Sequence, residues 1–315
     1  MDFEITPVLI DQIKTGDHTF KITTKTEKSD LAPSISAIGL LQPPVLVKTG
    51  ADFRIVCGFR RIEACETLNM KRIPARILRS NVSTMICAQI AVIDNSSQRT
   101  LNIVEQSRAY ALIGKLADNT TAWMNIVEST GLAGSQTAMK RIIPVAGMPA
   151  ALQDAILEGS IALPIALQIS HLEHDDAESL CRFFRQMTTG LNIQRELLEL
   201  ISEISRRDDI PIAQLLVQAD ITDIIENTYF PAPQKTQRLR MLLTSKRFPE
   251  LSKVEAAYSR KVKRLKLHPR VQIHPPRFFE GTSYRLSLTI DSRRQLKALQ
   301  SELDKLVHHP NLLPE

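Results

Sequence analysis

The sequence is poor in cysteine and has no apolar run long enough to cross a bilayer. Its four cysteines form no Cys-x-x-Cys pair and lie inside apolar patterns, which favours buried free thiols over disulfides or a zinc site. The basic segment that opens a secretory signal is also absent, since Asp2 and Glu4 stand near the start. These absences predict a cytoplasmic protein without a membrane partner.

The composition is that of a folded, soluble protein. Hydrophobic residues make up 43% of the chain and charged residues 23%, so disorder is not expected to dominate. A length of 315 residues is enough for two or three domains with substantial cores.

The positive charge is concentrated in one segment. Residues 235–266 contain eleven Lys or Arg and two Glu, a charge of +9 in a chain whose net charge is +6. The rest of the chain is therefore slightly acidic. Such an excess favours contact with a polyanion, and nucleic-acid phosphates would supply one. A solvated helix face is the alternative interpretation.

A glycine followed by paired arginines marks the most informative segment, which reads I-V-C-G-F-R-R-I-E-A over residues 55–64. Apolar alternation predicts strands before the glycine, and helical spacing predicts a short helix after it. Gly58 lets the backbone approach a ligand closely, while Arg60 and Arg61 supply charged, fork-shaped donors at the helix start. The arrangement predicts a phosphate site. Two solvated arginines at a helix start are the alternative.

Two stretches of the chain resemble the ParB family of DNA-partition proteins. The first pairs G-L-L-Q-P at residues 39–43 with the G-F-R-R-I-E-A box, similar to the family's G-L-x-Q-P and G-E-R-R-x-x-A. The second is residues 94–110, D-N-S-S-Q-R-T-L-N-I-V-E-Q-S-R-A-Y, similar to E-N-x-x-R-x-D-L-N-P-x-E-E-A-x-A-Y. Phe59 replaces the family's box glutamate, and Gln98, with Arg99 beside it, replaces the family's arginine.

The resemblance implies that CTP, with Mg²⁺ on its phosphates, binds between these two stretches. The nucleotide-binding residues that it implies are Gly58, Arg60, Arg61, Asp94 and Asn95, with Asn95 as the candidate Mg²⁺ ligand. Replacing an arginine by Gln98 removes one charge-assisted contact, so weak binding, or binding without hydrolysis, is expected. A helix cap is the alternative role of Asp94 and Asn95.

A helix-turn-helix pattern occupies residues 122–144, with Gly131 at the turn. We predict that Ser135 caps the second helix and that this helix faces a DNA major groove. The predicted DNA-binding residues are Ser135, Gln136, Thr137, Lys140 and Arg141. Gln136 stands where the family commonly has arginine, and P-I-A-L at residues 164–167 replaces its G-H-A-R element. A DNA target different from the family's usual one is therefore expected.

The fold class predicted is a multidomain α+β protein. Residues 1–94 would form a ParB/sulfiredoxin-like nucleotide-binding domain, residues 95–175 the helix-turn-helix domain, and residues 176–266 a helical basic region. Residues 267–315 predict a small β-β-α dimerisation unit, with a helix bearing Leu296, Leu299, Leu303 and Leu306. Packing of this unit on the basic region is the alternative.

The function that the resemblance implies is a dimeric, CTP-gated clamp on double-stranded DNA, acting in chromosome or plasmid partition at the nucleoid. A ParA-type ATPase would then be a partner. One alternative is a nucleotide-independent transcription regulator, and a ParB-like nuclease is less favoured. Sulfiredoxin has the same small fold, but Phe59 occupies the position of its catalytic cysteine. The resemblance implies, at most, weak CTP hydrolysis, and no independent catalytic constellation is recognised.

Overall fold

The computed structural model describes residues 3–24, 31–132, 135–291 and 304. The chain divides into two compact units, Met1–Leu172 and Glu173–Glu315, which are described separately below. All four cysteines are buried and free, as predicted. Among the described residues, no helix combines the length and apolar character that a bilayer span needs.

The first unit begins with a four-stranded mixed sheet. Its strands are β1 (Glu4–Leu9), β2 (Val45–Thr49), β3 (Asp52–Cys57) and β4 (Arg72–Leu78), in the order β1-β4-β2-β3. Only β2 and β4 run parallel; the other neighbours are antiparallel. The strands predicted from apolar alternation are confirmed.

Both faces of the sheet are covered by helices. On one face, Leu46 and Ile55 share a core with Ile62 of α2 (Phe59–Thr67), and α1 (Leu31–Ile38) packs against α2. On the other face, Val45 and Val56 pack with α3 (Thr84–Ser96). Burial on both faces explains why β2 begins with three consecutive buried apolar residues instead of alternating with polar ones.

Gly58 connects β3 to α2, at a position that has no room for a side chain. Its φ of 92° lies in the left-handed region, and it is the N-cap of α2. A Cβ there would lie 2.8 Å from Pro44 Cβ, 3.0 Å from Pro44 Cα and 3.3 Å from Arg61 Cζ. The glycine therefore allows the chain to turn while the loop before β2 lies directly against it.

In the described part of the first unit, the remaining α-helices are α4 (Ile103–Leu116), α5 (Thr120–Ser129), α6 (Gln136–Ile142), α7 (Ala150–Leu157) and α8 (Leu163–Ile169). Tyr110 and Trp123 lie at the centre of their core, where the indole Nε1 donates to the Tyr110 carbonyl at 3.2 Å. The predicted helix-turn-helix elements correspond to α5 and α6. Their turn includes residues 133–134, which are outside the described residues.

The carboxylate of Glu105 is fully buried at the start of α4. Both oxygens accept from the Arg99 guanidinium, at 2.6 and 2.7 Å. The Thr24 backbone N–H donates at 3.0 Å, and Asn102 completes a capping box with Glu105. The Glu105 carboxylate thus links the end of the α3–α4 connection to the first turn of α4 and to Thr24, which is distant in sequence.

The structure corrects the helix-cap interpretation of Asp94 and Asn95. Both lie inside α3, whereas Asn102 caps the following helix. The Asn102 side chain accepts from the Glu105 N–H at 3.0 Å, which is the geometry that a cap requires. The predicted domain boundary after residue 94 accordingly falls within α3.

The second unit is helical up to a short hairpin. Its helices are α9 (His174–Arg185), α10 (Leu191–Asp208), α11 (Ile212–Leu216), α12 (Ala219–Glu226), α13 (Ala232–Arg247) and α14 (Pro249–Arg264). Strands β5 (Val271–His274) and β6 (Arg285–Leu288) pair antiparallel, confirming the predicted strands. The predicted helix with Leu296, Leu299, Leu303 and Leu306 lies outside the described residues.

Glu105→Gln is expected to reduce stability at neutral pH and to flatten its acid dependence. Burial alone raises the pKa of Glu105, but hydrogen bonds from Arg99 and the backbone hold it below its ordinary value of 4.5. The stabilisation is therefore complete above that value and is lost as pH falls through the lowered pKa. Losing the charge should cost about 2 kcal/mol at neutral pH, or roughly 4–8 °C in Tm.

Thermal unfolding between about pH 7 and pH 3 tests this expectation. Glu66→Gln, which removes an exposed carboxylate on α2, is the matched control and should change neither Tm nor its pH dependence. Equal pH profiles for wild type and Glu105→Gln would contradict the assignment.

Gly58→Ala should destabilise the first unit by about 2–4 kcal/mol, because it adds a clash with Pro44 to an unfavourable φ. Gly50→Ala is the control, since Gly50 also has a positive φ, of 67°, but its added Cβ would meet nothing within 4 Å. That variant should lose about 1 kcal/mol. Denaturant unfolding of both variants measures the difference, and equal losses would show that the approach to Pro44 does not matter.

Candidate functional site

A cleft of about 230 Å³ lies beside the Gly58 turn. One part of its lining is apolar and contains Phe20, Ile22, Leu31 and Phe59. The other part is polar and is lined by Thr23, Gln42, Gly58, Arg60, Arg61, Asp94, Asn95, Gln98 and Arg99. All five residues predicted to bind nucleotide therefore line one cleft. Three guanidinium groups and one carboxylate give the polar part an excess of positive charge.

Arg61 is a structural brace within this cleft. Its Nη1 donates to the Gln42 carbonyl at 2.9 Å, and its Nη2 lies 3.2 Å from the Asp94 carboxylate. The guanidinium thereby connects α2 to the loop before β2 and to α3. Arg60 also lines the cleft. A guanidinium group suits contact with a ligand's phosphate group, so Arg60 stays a candidate for that role.

Arg99 is a cleft residue that the sequence prediction omitted. It is partly exposed, yet its guanidinium is fixed by two bonds to the buried Glu105 carboxylate. Its neighbour Gln98, at the family's arginine position, also lines the cleft. The sequence offered one signal, a basic residue directly after that position. Nothing in the sequence indicated that Arg99 would pair with Glu105.

Asn95 is the candidate metal ligand, and its amide orientation is defined by its own helix. Nδ2 donates to the Ala91 carbonyl at 2.8 Å, which leaves Oδ1 as the atom able to contact a cation. Among the described residues, no group of three or more His, Cys, Asp or Glu side chains could hold a metal. A Mg²⁺ ion at this cleft would therefore need most of its oxygen ligands from a bound phosphate, and Asn95 Oδ1 would be one protein oxygen able to join them.

Phe59 changes the character of the cleft at the position of the family's glutamate. Its ring makes an edge contact with His18, with centroids 6.3 Å apart, and Lys21 Nζ lies 5.8 Å from its centroid. The nearby Cys57 thiol is buried, and burial together with the charge of Asp94 raises its pKa to about 12. A thiol of that pKa stays protonated at neutral pH, so Cys57 lacks the thiolate that sulfiredoxin-type chemistry needs.

A second candidate surface lies on α6. Ser135 Oγ accepts from the Ala138 N–H at 3.2 Å, which confirms the predicted cap. Met139 is buried in the core around α4 and fixes the inward face of α6. The predicted DNA-binding residues are all exposed: Ser135, Gln136, Thr137, Lys140 and Arg141. Helical spacing places Thr137, Lys140 and Arg141 on the side of α6 away from Met139, with Gln136 at the edge of that side.

Comparison with known proteins identifies the N-terminal region and several distant relatives. A nucleoid occlusion protein of Bacillus licheniformis is 27% identical over 159 residues, which cover 50% of this chain and 54% of that protein. A probable plasmid-partitioning protein ParB of Thermus thermophilus is 24% identical, covering 58% and 69%. A probable chromosome-partitioning protein ParB of Rickettsia felis is 26% identical, covering 62% and 63%. The matched region thus spans between about half and two thirds of these relatives.

Two solved structures of a C-terminally truncated ParB from Caulobacter crescentus are also similar to part of the chain. The complex with CTP-gamma-S has 22% identity and a TM-score of 0.27, covering 57% of this chain and 98% of the other. The complex with the centromeric parS site has 17% identity and a TM-score of 0.33, covering 60% and 96%. The family match itself is to the ParB N-terminal domain and extends over residues 3–96. It includes the mixed sheet, the Gly58 turn and α3, so residues 3–96 of this chain belong to the ParB N-terminal domain family.

Proposed function

We propose that this chain is a sequence-specific double-stranded DNA-binding protein of the ParB-like class, with α6 as its recognition helix. The observation that carries the proposal is the exposed surface of α6, where Gln136, Thr137, Lys140 and Arg141 are all exposed while Met139 is buried. Amide, hydroxyl and cationic side chains on one short helix suit hydrogen bonding to base edges and phosphates in a major groove. The family of residues 3–96 supports the same conclusion.

The N-terminal cleft supports a nucleotide as the regulator of this DNA binding. Its apolar part is suited to a base or sugar, and its arginines are suited to a polyphosphate. CTP is the proposed ligand because the cleft lies between the two ParB-like sequence stretches. Mg²⁺ would neutralise part of the phosphate charge, while the chain's own residues orient the nucleotide: Arg60 contacts phosphate, and Arg61 keeps α2, α3 and the loop together. Weak CTP hydrolysis is not assigned to any residue.

We further propose that the chain forms a dimeric, nucleoid-associated clamp that acts in DNA partition. Its partner would be a ParA-type ATPase. The second candidate is a transcription regulator that binds DNA without a nucleotide. Two observations favour it: Phe59 replaces a family glutamate, and the Arg61 guanidinium is already held by protein oxygens. Nucleotide binding therefore decides between the two functions.

Arg60→Ala should weaken CTP binding by about 10–100-fold, because it removes one charge-assisted contact. Arg61→Ala should weaken binding and also lower Tm, since it breaks the contacts with Gln42 and Asp94. Calorimetric titration with CTP, ATP, GTP and UTP, with and without Mg²⁺, measures both effects. Arg72→Ala, an exposed arginine on β4, is the control. CTP-selective binding that Arg60→Ala leaves unchanged would refute the phosphate role, and no binding of any nucleotide would support the regulator.

Lys140→Ala should weaken binding to a DNA site selected from a genomic pool more than binding to a random duplex. A base contact of this kind contributes about 1–3 kcal/mol, or roughly 5–150-fold in affinity. Lys115→Ala removes an exposed lysine in the last turn of α4 and should affect neither duplex strongly. Fluorescence anisotropy on both duplexes gives the comparison. A uniform loss on both, with a salt slope shallower by about 1, would place Lys140 on a phosphate instead.

A further inference from the structure

The basic segment recognised in the sequence consists of two helices with different charge environments. The basic residues of α13 are Lys235, Arg238, Arg240, Lys246 and Arg247. Arg240 donates to Glu196 of α10 at 2.9 Å. Arg247 donates to Glu203 of the same helix at 2.6 Å. These two arginines are therefore neutralised by carboxylates one helix away.

The other three cations of α13 are held as well. Lys246 Nζ lies 2.7 Å from the Asp220 carboxylate of α12, and Lys235 Nζ donates to a backbone carbonyl of that helix at 2.6 Å. The Arg238 guanidinium lies over the Phe230 ring, 4.0 Å from its centroid. Every basic residue of α13 thus has a partner within the unit. These side chains therefore stabilise the fold and contribute less to the attraction of an external polyanion.

Three of the basic residues of α14 differ from those of α13. Arg260, Lys263 and Arg264 are exposed, and no carboxylate of the described residues lies within 4.0 Å of them. Helical spacing places the three within an arc of about 100° on the side opposite Tyr258. Lys253 lies on the same side two turns earlier and pairs with Glu250 at 2.6 Å, both side chains being largely exposed.

The opposite side of α14 is already covered. Tyr258, Val262 and Leu265 pack with Val271 of β5 and Leu288 of β6. An amphipathic basic helix binds a membrane by inserting its apolar face, and this face is occupied by the hairpin. What α14 presents outward is the cationic side, which suits a polyanion recognised by charge alone.

We propose that Arg260, Lys263 and Arg264 form a second DNA contact, which binds the phosphate backbone of double-stranded DNA without reading its sequence. The contact is separate from α6 and is carried by the second unit. Exposed Lys and Arg side chains bind phosphates by displacing condensed counterions, so this contact contributes affinity that falls steeply with salt. Sequence choice remains with the recognition helix, and α14 adds attraction to any duplex.

The test compares the whole chain with the triple variant Arg260→Gln/Lys263→Gln/Arg264→Gln, using a random-sequence duplex and anisotropy between about 50 and 200 mM salt. Each lost phosphate contact reduces the slope of log K against log salt by about 0.9, so the triple variant should be shallower by about 2–3. Its affinity at the lowest salt should fall at least about tenfold. An unchanged slope would overturn the proposal.

The control removes the same charge elsewhere in the second unit, through Arg182→Gln/Arg195→Gln/Arg206→Gln on α9 and α10, where all three side chains are exposed. It should retain a slope close to that of the wild type, and equal losses in both triple variants would mean that net charge, not α14, is responsible. Replacing Arg260 and Arg264 by Lys keeps the charge and should retain the slope. This variant therefore distinguishes an effect of lost charge from an effect of altered folding. Binding to phosphatidylserine vesicles, lost in the α14 variant while duplex binding persists, would overturn the proposal in favour of a membrane surface.

This outcome is independent of the recognition-helix proposal. Lys140→Ala alters discrimination between duplexes, whereas the α14 variant weakens all duplexes alike. A change in salt slope without any effect of Lys140→Ala would support α14 and refute α6, and the reverse result would do the opposite.

Discussion

A buried carboxylate must be satisfied by hydrogen bonds, and the structure of the first unit depends on how Glu105 meets this requirement. An isolated charge at that depth would be strongly destabilising, so Arg99, Thr24 and Asn102 are all brought to it. The consequences extend in two directions. Arg99 is held in the lining of the cleft beside Gly58, and α4 is anchored at its first turn. Because α6 packs on α4, the same carboxylate supports the surface proposed to bind DNA.

The arginines of this protein serve two purposes that a charge count cannot separate. Arg61 and the cations of α13 are held by carboxylates, carbonyls or an aromatic ring, and they join elements of the fold. Arg99 is intermediate, since it lies in the cleft but is fixed by a buried partner. Arg260 and Arg264 project outward. Only cations whose charge is not already compensated contribute fully to attraction of an external polyanion.

The two proposed DNA contacts differ in chemistry. The α6 surface offers a few side chains of mixed chemistry, as base reading requires, whereas α14 offers charge alone. The cleft beside Gly58 is lined mostly by residues 3–96, which match the ParB N-terminal domain, but two positions of the ParB-like motifs are changed. Phe59 makes the cleft more apolar, and Gln98 makes it less positive. If the cleft binds phosphate as proposed, both changes would weaken that binding, while Arg60 remains in the lining.

The sequence by itself determined the local elements: the strands around the Gly58 turn, the α5–α6 pair with its Ser135 cap, and the β5–β6 hairpin. Such features depend on neighbouring residues, through side-chain periodicity, capping and positive φ. It also indicated the candidate cleft, because the two ParB-like stretches carry most of its lining. The predicted dimerisation helix near the C-terminus stays a prediction.

Only the tertiary structure decided which charges are compensated. It located Asp94 and Asn95 inside α3, assigned Arg61 to Asp94, and paired Arg240 with Glu196, 44 residues away in the chain. Partners so distant leave no periodic signal, because their approach depends on how whole helices pack. For the same reason, the sequence showed eleven basic residues as one segment. The structure divides that segment into α13, whose cations are paired within the fold, and α14, which carries exposed cations.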